Sequence, residues 1–117
     1  MSTRTEVRCP DPATNPYLAL AMMLNAGLDG VKNNLKAPLS VNEDIFEMTA
    51  EEMEAKGITV LPGSLKEALE EFKANPLSRE TLGDHIFAKY IVGKEAEWDD
   101  YRCAVTDWEL DTYLTKY

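Results

Sequence analysis

The feature that most constrains this chain is the run from Tyr17 to Leu28, apolar almost all the way round and interrupted only by Asn25 and Gly27. Asn15-Pro16 stands directly before it. An asparagine side chain can accept from the first unpaired N–H groups of a helix, and proline suits the first helical position. The two together predict a helix that starts here. A helix with no polar face is covered on most sides and does not simply lie on a surface. In a chain of 117 residues, that implies neighbours the chain does not wholly supply.

The flanking segments set the remaining architecture. Residues 3–8, Thr-Arg-Thr-Glu-Val-Arg, alternate as a short strand does, with Arg4, Glu6 and Arg8 on one face and Thr5 and Val7 on the other. Cys9-Pro10-Asp11-Pro12 then breaks regular structure, because each proline removes a donor and restricts its predecessor. Residues 33–48 read as an extended excursion, with Asn33-Asn34, then Pro38, Ser40, Asn42 and Asp44. Thr49 with Glu52 forms a capping box for a short acidic helix stopping at Gly57, and Ser64 with Glu67 forms a second after the Pro62-Gly63 turn. The helix that follows carries Leu65, Leu69 and Phe72 on one stripe. Pro76 is expected to end it, and a short segment leads to Gly83. A longer helix is expected from about Asp84 to about Val105, with Phe87, Tyr90, Ile91, Trp98, Tyr101 and Val105 as its stripe. Thr106 with Glu109 is a third capping box. Leu110, Tyr113, Leu114 and Tyr117 then recur at helical spacing, an amphipathic tail whose aromatics suit docking. The fold class expected is mainly α, a single domain over residues 1–117 with a strand remnant at its start.

Composition narrows the function classes. A net charge of −9 argues against a nucleic-acid partner, since binding phosphate backbones needs a basic surface. No run approaches the roughly twenty apolar residues that span a bilayer, and no apolar signal core opens the chain, so a cytoplasmic location and no membrane partner are expected. Two cysteines, Cys9 and Cys103, with the single His85 do not make a zinc site and read as reduced thiols.

Only one cluster looks chemical. On the Arg4–Glu6–Arg8 face, two guanidiniums can grip phosphate or carboxylate in bidentate fashion, and the carboxylate between them can hold a hard cation such as Mg²⁺. The bland alternative is a solvated strand face with cross-paired charges, and pattern alone leaves both open. His85 lies at a helix start with no neighbour completing a triad, so a solvent-facing or satisfied imidazole is the simpler reading. The Met22-Met23 pair and the Trp98/Tyr101 stripe read as core or interface. Glu51-Glu52 and Glu70-Glu71 read as solvated helix faces.

The stretch from Arg4 to Tyr17, Arg-Thr-Glu-Val-Arg-Cys-Pro-Asp-Pro-Ala-Thr-Asn-Pro-Tyr, resembles the signature R-x-E-x-R-x-P-D-P-x-x-N-P-Y found late in class I (bacterial-type) glutamine synthetases. The likeness continues through residues 26–33, through Leu61-Pro62-Gly63-Ser64-Leu65 and Glu67-Ala68-Leu69, and into Glu97-Trp98-Asp99 and Asp107-Trp108-Glu109. It implies the helical C-terminal portion of a glutamine synthetase catalytic domain. In that family, ATP phosphorylates glutamate to γ-glutamyl phosphate and ammonia displaces the phosphate, with Mg²⁺ or Mn²⁺ present, in a funnel between subunits of a dodecamer. Carried over by motif position, Glu6 resembles a metal ligand, Arg4 a residue that stabilises the transferring phosphoryl group, and Arg8 the arginine that holds substrate glutamate. The implied partners are other glutamine synthetase subunits, glutamate, ammonia and ATP.

The family's enzymes are several hundred residues long, so one carboxylate and two arginines imply an incomplete site. The chain alone is expected to be inactive and to bind neither ATP nor metal. Asp44-Ile45-Phe46-Glu47 puts a phenylalanine where some members carry an adenylylated tyrosine, so that switch is expected to be missing. Thr106-Asp107-Trp108-Glu109 stands where the family often reads His-Pro-Trp-Glu, in a terminal segment that inserts into the opposite ring. The alternative is a non-catalytic oligomerisation module that binds glutamine synthetase subunits or itself. Either way, the uncovered apolar helix and aromatic tail predict self-association of the isolated chain. Sedimentation at rising concentration measures it, and a strictly monomeric species would refute it.

Overall fold

A computed structural model describes residues 3–114 and Lys116. Five helices carry the chain: α1 (Pro16–Lys32), α2 (Ala50–Ala55), α3 (Leu65–Ala74), α4 (Pro76–Cys103) and α5 (Asp107–Glu109). A 3₁₀ turn at Ile45–Glu47 and a π-helical turn at Leu110–Leu114 complete the regular structure. The architecture is mainly α.

Each helix end follows from local chemistry. The Asn15 side chain accepts from the N–H groups of Tyr17 and Leu18 at 3.0 and 3.3 Å, with Pro16 in the first turn. At the other end of α1, Asn34 takes the left-handed conformation (φ 50°), which asparagine tolerates better than most residues. The N–H groups of Leu35 and Asn34 then reach back to the carbonyls of Gly30 and Val31, satisfying two groups the helix leaves free. Gly57 (φ 65°) closes α2 in the same way, with Ile58 donating to Met53 and Gly57 to Glu54. The Thr49/Glu52 and Thr106/Glu109 capping boxes form with both reciprocal bonds. The Ser64 hydroxyl caps α3 as expected, but the Glu67 carboxylate takes the N–H of Gly63, one residue earlier than a regular box.

Two expectations need correction. Residues 3–9 form no strand, because a strand needs a neighbour to pair its N–H and C=O groups, and no described residue offers one. Pro76 begins a helix as well as following one: Asn75 caps the end of α3, and its side chain accepts from Leu77 N at 3.0 Å to start α4. Residues 77–82, read as a connecting segment, are therefore helical. The apolar surface of α1 is mostly uncovered, with no buried residue, in line with a helix whose neighbours the chain does not wholly supply.

Both long packing contacts involve α4, which bends sharply at Gly83 (φ 70°, ψ 161°). Beyond the bend, Phe87 is buried and stacks on Phe72 of α3 with ring centroids 5.5 Å apart, while Phe72 also meets Tyr90 at 5.2 Å. Leu69 and Leu82 complete the small buried apolar set among the described residues. Arg79 lies 5.1 Å over the Phe87 ring and pairs across the bend with Asp84 at 3.5 Å. Lys73 of α3 ties the two helices together, bonding Glu95 of α4 at 2.6 Å and Glu70 of its own helix at 3.1 Å. Before the bend, Asn25 Nδ2 of α1 donates to Thr81 Oγ1 at 2.8 Å, and that hydroxyl donates to the Leu77 carbonyl at 2.6 Å. The radius of gyration, 18.7 Å, well exceeds the roughly 13 Å of a compact domain this size, so the core is local to α3 and α4.

Two outcomes follow for stability. Phe87→Ala removes the centre of the buried set and is expected to cost about 3 kcal/mol or more, read as an earlier urea midpoint of the helical circular dichroism signal. Gly83→Ala meets no atom within 4 Å of its added Cβ, yet the backbone there suits glycine almost exclusively. It is expected to lower stability by about 1–3 kcal/mol in thermal melts, through backbone strain alone.

Candidate functional site

The charged face expected from residues 4–8 is present as a pair and a neighbour. Arg8 Nε and Glu6 Oε1 lie 2.5 Å apart, both side chains largely exposed. Arg4 is likewise exposed, two residues upstream. The backbone beneath them is irregular, and what steadies it follows the motif. Asp11 Oδ1 accepts from Ala13 N at 2.7 Å, and Thr14 N donates to the Asp11 carbonyl at 2.9 Å. This turn hands the chain to Asn15 and α1, so Asp11 and Asn15 shape the path between the charged residues and the helix.

In chemical terms the pair is a parked site. A guanidinium stays charged at any ordinary pH and offers a planar fork that matches carboxylate or phosphate. In this structure Arg8 donates from Nε to Glu6 Oε1. A divalent cation needs several oxygen donors, and Glu6 is a single carboxylate already engaged by Arg8. No group of three or more His, Cys, Asp or Glu side chains gathers within metal-binding reach among the described residues. Among the described residues, Glu6 alone does not complete a metal site.

The clefts lie elsewhere. One sits between α3 and α4, lined by Lys73, Asn75, Pro76, Arg79 and Phe87 among others. The other sits where α1 meets α4, lined by Ala21, Leu24, Asn25, Leu28, Glu80 and Thr81. Neither includes Arg4, Glu6 or Arg8. His85 is exposed on α4, and both cysteines are exposed and free. Phe46, at the centre of the 3₁₀ turn, is fully exposed, which only a tertiary structure could reveal.

Two carboxylates outside the motif titrate unusually. The Thr49 backbone N–H and hydroxyl hold the Glu52 carboxyl below its ordinary 4.5, and those of Thr106 do the same for Glu109. A carboxylate whose folded value is depressed contributes stability above its unfolded value and loses it as pH falls.

This is a helical segment with an exposed charged stretch ahead of its first helix. Comparison with known proteins places it in a family. Residues 1–113 match the family model described as glutamine synthetase, catalytic domain. The chain is 56% identical over 115 residues to a glutamine synthetase of Clostridium saccharobutylicum, spanning 98% of this chain and 26% of that protein. It is 51% identical over its full 117 residues to the Staphylococcus aureus glutamine synthetase, again 26% of that protein. The Methanosarcina mazei protein is 50% identical over 113 residues, 97% of this chain and 25% of its own length. The chain belongs to the glutamine synthetase family, and it spans about a quarter of the length of the relatives it matches.

Two further outcomes are expected. Glu6→Gln breaks an exposed pair and should leave the melting temperature unchanged, which separates any later loss of function from loss of fold. Acidification through the carboxylate range should release the caps on α2 and α5 while the α3–α4 pair keeps its helical signal, as residue-resolved amide exchange measures.

Proposed function

We propose that this chain supplies part of the active site of a glutamine synthetase, the ligase that joins ammonia to L-glutamate with ATP, and does not turn over alone. The single observation carrying the reading is the catalytic-domain match over residues 1–113, which includes Arg4, Glu6 and Arg8. In this reading the domain is the C-terminal portion of that catalytic domain, and the remaining partners are further subunits of the same enzyme in the cytoplasm. A dodecamer is the assembly implied by the resemblance.

The division of labour follows from charge. Arg8 presents a fixed cationic fork to substrate glutamate and to the negative charge that grows as ammonia attacks γ-glutamyl phosphate. Arg4 faces the phosphoryl group that passes from ATP to the γ-carboxylate. Glu6 would contribute one carboxylate oxygen toward a Mg²⁺ or Mn²⁺ held mainly by residues outside this chain, and the chemistry that ion would supply is neutralisation of phosphate charge. Such positioned charges supply most of what phosphoryl transfer needs from a protein. For the three to share one face, residues 3–8 need the strand neighbour that the chain alone lacks. The Glu6–Arg8 pair must also open, so that Arg8 exchanges one carboxylate for another.

The test replaces the matched segment of the Clostridium saccharobutylicum enzyme with this chain and assays ATP, glutamate and ammonia with Mg²⁺. The graft is expected to be active, this chain alone silent, and Arg8→Ala in the graft slower by about 10²–10³-fold in kcat. Turnover by the isolated chain, or an unaffected Arg8→Ala graft, would overturn the reading. An inert graft that still folds and assembles would instead support the interaction-module alternative.

A further inference from the structure

Residues 9–16, which join the charged stretch to α1, are restrained by proline almost throughout. Pro10, Pro12 and Pro16 have a fixed φ, and Cys9, Asp11 and Asn15, each directly before a proline, are pushed to extended backbone. Asn15 takes it, with φ −65° and ψ 113°. Only Ala13 and Thr14 escape this restraint, and both are held by Asp11 instead. Ala13 N donates to Asp11 Oδ1 at 2.7 Å, and Thr14 N donates to the Asp11 carbonyl at 2.9 Å. Aspartate followed by proline is also the order that a β-turn favours at its first two positions. The far end of this connector is anchored, because Asn15 caps α1 and Asn25 ties α1 to Thr81 of α4.

We propose that Asp11 is a positioning residue for Arg8: its turn, set between prolines, makes residues 9–16 a stiff strut that fixes the direction in which the charged stretch leaves α1. Arg8 stands three residues ahead of Asp11, a reach of up to about 10 Å. A swing of about 10° at the turn therefore moves Arg8 by about 1–2 Å. An error of about 1 Å in the placement of a reacting group costs up to about 10²-fold in rate. The strut orders this backbone in advance, so that a pairing neighbour has only residues 3–8 left to align. Asp11 acts through the backbone and touches neither substrate. The positioning role rests on the reading of Arg8 as part of the ligase site, whereas the stiffness of the strut does not.

Two measurements test it, one of them without catalysis. Spin labels are placed on the exposed Cys9 and, through Ala26→Cys, on α1, in a Cys103→Ser background. With labelled chain diluted into unlabelled chain, double electron–electron resonance reads the distance between them. The expected result is one narrow distribution. Asp11→Ala broadens it, because Ala13 N loses its acceptor, and Asp11→Asn restores it, since an amide oxygen accepts the same bond. Asp44→Ala removes the matching 3.0 Å bond from Phe46 N and leaves the distribution as it was. In the graft described above, Asp11→Ala is expected to lower kcat by about 10–10²-fold and to raise the KM for glutamate, with Asp11→Asn recovering most of both. A distribution that Asp11→Ala leaves narrow overturns the strut, whatever the graft does. An active graft in which Asp11→Ala moves neither kcat nor KM overturns the positioning role and leaves the catalytic reading standing. So does a fall in kcat with glutamate KM unmoved, which simple loss of folded enzyme produces.

Discussion

The bend at Gly83 is the constraint on which the rest of this structure hangs. A straight α4 would present one continuous stripe to one neighbour. With Gly83 at φ 70°, the residues before the bend meet α1 through Thr81, and those after it meet α3 through Phe87. Arg79 spans the junction, resting on the Phe87 ring and pairing with Asp84, so the bend is braced by charge as well as by packing. Glycine is suited to this role because, with no Cβ, it enters that backbone region without steric penalty.

A core of Leu69, Leu82 and Phe87, with half-buried aromatics around it, can hold two helices together but cannot order everything attached to them. Lys73 compensates in part, since its ammonium takes two carboxylates from two helices and its proton affinity rises accordingly. Among the described residues, no ion pair from another element reaches residues 3–9. The charged motif therefore has its sequence but not its scaffold. Its three side chains share a face only on paired, extended backbone, and here Arg8 folds back onto Glu6.

Most helix boundaries were legible, because caps are local. Asn15-Pro16, Thr49 with Glu52, Gly57, Ser64 and Thr106 with Glu109 all act within a turn of their own position. The miss at Asn75-Pro76 is instructive: it is the same dipeptide that starts α1, and it starts α4 for the same reason. A proline directly after one helix reads as a stop unless the asparagine before it is counted as the next cap. Tyr117, placed on the tail's apolar stripe, lies outside the described residues.

What the sequence determined by itself is whatever depends on neighbours within four or five residues, together with the family. Those include the helix starts and stops, the apolar character of α1, the amphipathic stripe of α3 and the order of charges in Arg4-Thr5-Glu6-Val7-Arg8. What only the tertiary structure decided is how those surfaces are used. It showed that α4 bends and serves two partners, that α1 covers one face and exposes the other, and that the charged segment forms no strand. Helix caps are satisfied by the chain's own next turn. Strand pairing, burial and site geometry depend on groups distant in sequence, so they are settled only by what the fold brings alongside.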